Sequence, residues 1–112
     1  MSNRKFYLRF AALVNAVNRD AGFDFDNIAM HLLEAITAAH AAGTPLKVTD
    51  ALLLDIASAA TLHKKIDALK VQGFVQIEHP EDTKRTKFLV PTNKALGHLD
   101  ALGKAVLKAA QK

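Results

Sequence analysis

A change of hydrophobic period at Gly73 constrains this chain more than any other feature. Before it, Leu62, Ile66 and Leu69 recur at spacings of four and three, which puts one apolar stripe along a helix. Ser58 is suited to cap the start of that helix. Gly73 is suited to end it, because a residue without a Cβ adopts the left-handed conformation freely. After Gly73 the period becomes two in Phe74-Val75-Gln76-Ile77-Glu78, and Lys87-Phe88-Leu89-Val90 repeats the alternation. Pro80 and Asp82 give turn chemistry to the charged segment between, His79 to Thr86. The stretch from Ser58 to Thr92 therefore predicts a helix, a strand, a charged turn and a second strand. A helix followed by a hairpin with a basic tip is the layout of a winged helix-turn-helix.

The flanking chain supplies helices for such a unit. Residues 4–19 predict a helix with Phe6, Phe10, Leu13 and Val17 on one face, widened by Tyr7 and Val14 and stopped by Gly22. Phe23 to Gly43 predicts a second, capped by Asp24 or Asp26, with Ile28, Leu32, Ala35, Ile36 and Ala39 buried. Pro45-Leu46-Lys47 is extended and a candidate third strand beside the hairpin. Val48-Thr49 opens a short helix, capped by Thr49 or the polar backbone before it, running through Leu52-Leu53-Leu54 to Asp55. Its leucines crowd as expected of a first helix packed on several neighbours. Ile56-Ala57-Ser58 is the turn that sets the next helix across it. Thr92 or Asn93 caps a last helix over 94–110, striped by Leu96, Leu99, Leu102 and Val106. The expected fold is mostly α (α+β): a winged helix-turn-helix with a two- or three-stranded β-wing and N- and C-terminal helices. A length of 112 residues suits a single domain. Within it, 46–92 holds the helix-turn-helix and wing, and 1–20 and 93–112 are dimerisation helices.

Composition removes several function classes. Cysteine is absent, so disulfides and thiolate metal sites are excluded. No apolar run approaches the roughly 18 residues of a membrane span, and no secretory signal pattern opens the chain, so a cytoplasmic protein is expected. There is no glycine-rich phosphate loop, Gly-x-Ser-x-Gly elbow or His-Glu-x-x-His pair, so no enzyme and no cofactor is expected. His31 and His40 are nine residues apart and do not meet on a helix. Glu78 and His79, adjacent on a strand, point to opposite faces. His98 and Asp100 diverge on a helix surface. No metal site emerges.

The net charge of +4 is unevenly spread. Arg4, Lys5, Arg9 and Arg19 are the charged residues of positions 1–19, all positive. Asp20 to Ile56 is acidic with Lys47 its one base, and positive charge returns from Lys64. Such asymmetry suits one polyanion-facing surface. With Leu62, Ile66 and Leu69 inward, the opposite helix face carries Ala60, Lys64, Asp67, Ala68 and Val71, flanked by Thr61 and Lys65 and by His63 and Lys70. Small residues admit base edges closely, and Thr61 and Lys64 can donate to bases or phosphates in a major groove. Asp67 is unusual there, and either pairs with a wing base or repels phosphate. The hairpin adds Lys84, Arg85 and Lys87, of which Arg85 best suits a narrow minor groove and Asp82 could hold its guanidinium. The candidate DNA-binding set is thus Ser58, Ala60, Thr61, His63, Lys64, Lys65, Ala68, Lys84, Arg85 and Lys87. Phe6, Tyr7, Phe10, Leu13, Leu99, Leu102 and Val106 exceed what one short bundle buries, so they are candidate homodimer contacts.

The segment ATLHKKIDALKVQGFVQIEHPEDTKRTKFLVPTNKA resembles the core of the MarR family of bacterial regulators. Thr61 opens the recognition helix in that pattern, followed by Ile66-Asp67 and Leu69, Gly73-Phe74-Val75, Asp82 with Arg85, and Thr92. The likeness covers roughly the second half of the chain. It departs in one extra residue between Asp82 and Thr92, and in a turn, Ile56-Ala57-Ser58, without glycine. The resemblance implies transcriptional control, most often repression, by a homodimer on a palindromic site in double-stranded DNA. It also implies a small-molecule effector, for which no residue here marks a pocket. The alternative is a winged-helix module that docks another protein without reading bases, as in a plasmid or phage accessory protein.

Overall fold

The computed structural model describes residues 2–80 and 85–111. Glu81, Asp82, Thr83 and Lys84 at the expected hairpin tip, and Lys112, lie outside the described residues. Among the described residues, five helices and two strands follow in order: α1 (Asn3–Asp20), α2 (Asn27–Ala41), α3 (Val48–Ala51), α4 (Ala59–Val71), β1 (Val75–Glu78), β2 (Phe88–Pro91) and α5 (Asn93–Ala110). They divide into two compact units, one of Met1–Asp24 with Leu96–Lys112, the other of Phe25–Ala95.

In the second unit, α2 packs on both α4 and β2, and α4 also meets β1. Asp26 caps α2 by accepting from the Ala29 amide at 2.8 Å. Leu32 and Ile36 are buried as expected, but Ala29 and Leu33 are buried too, and Ile28 only half so. A helix covered by two neighbours buries a wider arc than one stripe. The largest of the described side chains buried away from water are Phe74, Leu32, Leu33, Ile36, Leu62, Leu69 and Leu89. Each contributes about 1.5–3 kcal/mol relative to exposure. Phe25 meets Phe74 edge-on, with ring centroids 4.9 Å apart.

The strands pair antiparallel, Val75 opposite Pro91 and Glu78 opposite Phe88. The expected third strand is one bridge, Lys47 to Phe88, with Leu89 N donating to Leu46 O at 2.8 Å and Val48 N to Lys87 O at 3.0 Å. The alternation expected of β2 fails: Leu89, Val90 and Pro91 are all buried. Flanked by chain on both edges and packed against α2, this strand lies deeper than a hairpin arm with one wet face.

The helix expected to run to Asp55 stops at Ala51. Lys47, rather than Thr49, is its cap residue, its amide donating to Asp50 Oδ2 at 3.1 Å. The leucines that follow do not crowd inward: Leu53 is 82% exposed, and Leu52 and Leu54 are half-buried.

In the first unit, Ser2 caps α1 through the Lys5 amide, and none of the helix is buried. Phe6 stacks on Phe10, with ring centroids 6.5 Å apart. The apolar stripe expected on α5 is not its buried one. Ala95, His98, Ala105 and Ala109 are buried, Leu99 and Leu102 are half-buried, and Leu96, Val106 and Leu107 are exposed. His98 Nε2 lies 2.9 Å from Asn18 Oδ1 on α1, and burial pushes the imidazole pKa below its ordinary 6.5.

Candidate nucleic-acid interface

The candidate interface is built on α4, whose two ends are fixed independently. At its start, Ser58 Oγ accepts from the Thr61 amide at 3.2 Å and donates to Thr61 Oγ1 at 3.0 Å. That arrangement spends the Ser58 hydroxyl proton inside the cap and leaves the Thr61 proton to be donated elsewhere. At its end, Gly73 takes φ +81°, with its amide on Lys70 O and the Phe74 amide on Leu69 O at 2.9 Å. These paired bonds form a Schellman closure and turn the chain directly into β1. Thr92 Oγ1 donates to Gly73 O at 2.6 Å, and Lys94 Nζ to Gln72 O at 2.7 Å, so further helix-end carbonyls are satisfied from beyond the hairpin.

Between these ends Leu62, Ile66 and Leu69 seal the inner face as expected. Ala60, His63, Lys64, Asp67 and Val71 are exposed, and Thr61, Lys65 and Ala68 half-buried. Three side chains of this face, Lys65, Asp67 and His63, are otherwise engaged. The Lys65 ammonium is bonded to Asp26 Oδ2 at the cap of α2, so Lys65, expected to face DNA, ties two helices together. Asp67 Oδ2 lies 3.2 Å from His63 Nδ1, one turn earlier. That contact also engages His63.

On the hairpin, Arg85 and Lys87 are exposed. His79 Nδ1 donates to Thr86 O at 3.1 Å and closes the strands below the tip. Lys84 and the expected Asp82–Arg85 contact lie outside the described residues. Beside this hairpin runs a groove of about 460 Å³, with Lys47, Val48 and Thr49 on one side and Arg85, Thr86 and Lys87 on the other. Lys47 and Thr49 were not among the expected interface residues. Lys47 stood out in the sequence as the single base of an acidic stretch, but only the bridge to Phe88 sets it beside the wing.

Of the candidate dimer contacts, Phe6, Tyr7 and Val106 are exposed, at 36%, 62% and 41%, while Phe10, Leu13, Leu99 and Leu102 are half-buried. Leu8, Leu96 and Leu107, which were not among the candidate dimer contacts, are exposed apolar residues as well. Among the described residues no cluster of His, Asp or Glu could hold a metal, and no helix is long and apolar enough to cross a membrane.

No protein-family model matches the chain, and no curated protein matches it. Its likeness is to solved structures. One is a transcriptional regulator from Thermotoga maritima, at 16% identity and TM-score 0.70 over 94% of this chain and 70% of that one. A second is MarR, at 12% identity and TM-score 0.64 over 93% and 72%. A third is reduced AbfR bound to DNA, at 17% identity and TM-score 0.56 over 92% and 70%. At such identities the likeness speaks for architecture. The α3–turn–α4 pair, the two-stranded wing and the terminal helices make this chain a mostly helical winged helix-turn-helix, the architecture it shares with these structures.

Proposed function

We propose that the chain is a double-stranded-DNA-binding transcriptional regulator that sets α4 in the major groove and its hairpin in the minor groove. One observation carries the reading: the outward face of α4 combines small and basic residues at its N-terminal half. Ala60 lets the backbone approach base edges, and the exposed Lys64 and the Thr61 hydroxyl supply donors beside it. Recognition helices present their N-terminal residues to bases, which is where these lie. The likeness to AbfR, solved on DNA, supports the same use of the same architecture. Repression at a palindromic site by a homodimer completes the proposal. The exposed apolar residues of α1 and α5 support that pairing.

The test is selection of bound duplexes from a random pool, followed by fluorescence anisotropy across a salt series. Binding should fall linearly in logarithmic plots against salt. Lys64→Ala or Thr61→Ala should relax preference at particular base pairs by about 1–3 kcal/mol where the residue touches bases. Uniform loss on all duplexes would assign both residues to phosphate. Recovery of no duplex would sink the reading and leave the winged helix as a protein-docking module.

A further inference from the structure

The groove between α3 and the hairpin holds a basic cluster that the reading of α4 does not use. Lys47, Arg85 and Lys87 line it with the hydroxyl-bearing Thr49 and Thr86, and among the described lining residues there is no carboxylate. The nearest acid in sequence, Asp50, has Oδ2 turned onto the Lys47 amide instead. The two sides are held together by backbone: Val48 N donates to Lys87 O at 3.0 Å, and Leu89 N to Leu46 O at 2.8 Å. Lys47 and Lys87 are therefore brought to one groove by sheet pairing, not by chance side-chain rotamers.

We propose that this groove grips a backbone phosphate of bound DNA, with Lys47, Thr49 and Lys87 as the contacting residues. The inference rests on α4 entering the major groove. In a helix-turn-helix the first helix crosses the sugar-phosphate backbone while the second reads bases. The start of α3 and the base of the wing are the parts of this unit that then meet the strand between the two grooves. Lysine and threonine are suited to phosphate oxygens, which position the protein without reading sequence. Lys47, Thr49, Arg85 and Lys87 are all exposed, so water competes with a small free anion for the same donors. A phosphate tethered to a duplex already held by α4 arrives at high effective concentration and overcomes that competition.

The experiment uses the full chain, a labelled duplex recovered by selection and a labelled random-sequence duplex, each titrated by anisotropy across a salt series. Lys47→Gln, Lys87→Gln, Thr49→Val and Lys64→Gln are compared with the parent after circular dichroism shows each to be folded. Lys47→Gln and Lys87→Gln are expected to weaken binding by the same factor on both duplexes, and each to flatten the logarithmic salt dependence by up to about 0.9. Thr49→Val should weaken both equally with the salt slope unchanged, since it removes a donor and no charge. The proposal is overturned if Lys47→Gln and Thr49→Val match the parent at every salt while Lys64→Gln weakens binding; α4 would then bind DNA without the groove. If the parent binds neither duplex, the DNA reading falls and this one falls with it.

Discussion

Asp26 serves two elements at once. Its Oδ1 accepts from the Ala29 amide at 2.8 Å and caps α2, while its Oδ2 takes the Lys65 ammonium from α4. The Lys65 hydrogen bond first, and then the Ala29 amide, hold its carboxyl below the ordinary 3.8. A carboxyl depressed by folding contributes stability that is complete above its unfolded value and lost as pH falls through the folded one. Lys65→Gln should therefore lower stability at neutral pH, by less than about 1 kcal/mol because water screens a partly exposed pair. The gap to the parent should close in acid, below about pH 3.8. Urea denaturation of both proteins at neutral and acidic pH checks this, and a gap constant with pH would separate Asp26 from Lys65. Gly73 makes a different demand. A Cβ added there would meet only Lys94 Cδ, at 3.9 Å, so space is not the constraint; the φ of +81° is. Gly73→Ala should cost about 1–2 kcal/mol through left-handed strain alone, with Gly73→Asn costing less. Equal melting temperatures for parent and Gly73→Ala would show that the turn relaxes out of that conformation.

At the scale of elements, α4 was legible because its pattern and its surroundings agree: one apolar stripe, one buried face, a serine before it and a glycine after it. The wing's two arms were legible for the same reason, though not the depth of β2, since burial of both faces leaves Leu89 and Val90 without alternation. Lys65 looked like an interface residue because its partner Asp26 lies 39 positions away, a separation no helical period reports. On α5 hydrophobicity misled. Leucine outranks alanine on any transfer scale, yet Ala105 and Ala109 are buried where Leu107 is 67% exposed. His98 shares that buried stripe, with Nε2 against Asn18 Oδ1, a geometry that fits the neutral imidazole donating to the amide oxygen. Because burial lowers its pKa from 6.5, the unfolded chain binds this proton more readily. Stability linked to His98 is then complete above about pH 6.5 and declines as pH falls through the folded value. His98→Gln, which keeps a donor for Asn18, should lose part of the fall in melting temperature seen in the parent between about pH 7.5 and about pH 5. Identical pH dependence in the two proteins would relieve His98 of that role.

For the whole molecule the governing fact is how much apolar surface the single chain leaves wet. No residue of α1 is buried, Tyr7 and Leu8 are 62% and 60% exposed, and α5 adds Leu96, Val106 and Leu107. Exposed apolar residues of this number suit an interface, which must cover about 800 Å² on each partner to persist. A twofold pair also fits the DNA, since a palindrome presents its half-sites about 34 Å apart and one recognition helix reads only one of them. The expectation is that the parent sediments at equilibrium, at micromolar concentration, with twice the 12.1 kDa of the chain. Tyr7→Glu combined with Val106→Glu should yield a folded monomer, because both positions are exposed and a carboxylate there harms only a paired surface. That monomer should bind a palindromic duplex no more tightly than a duplex carrying one half-site, whereas the parent should prefer the palindrome. A parent that sediments cleanly as a monomer would refute the pairing. A double variant that stays dimeric would move the interface away from these two residues.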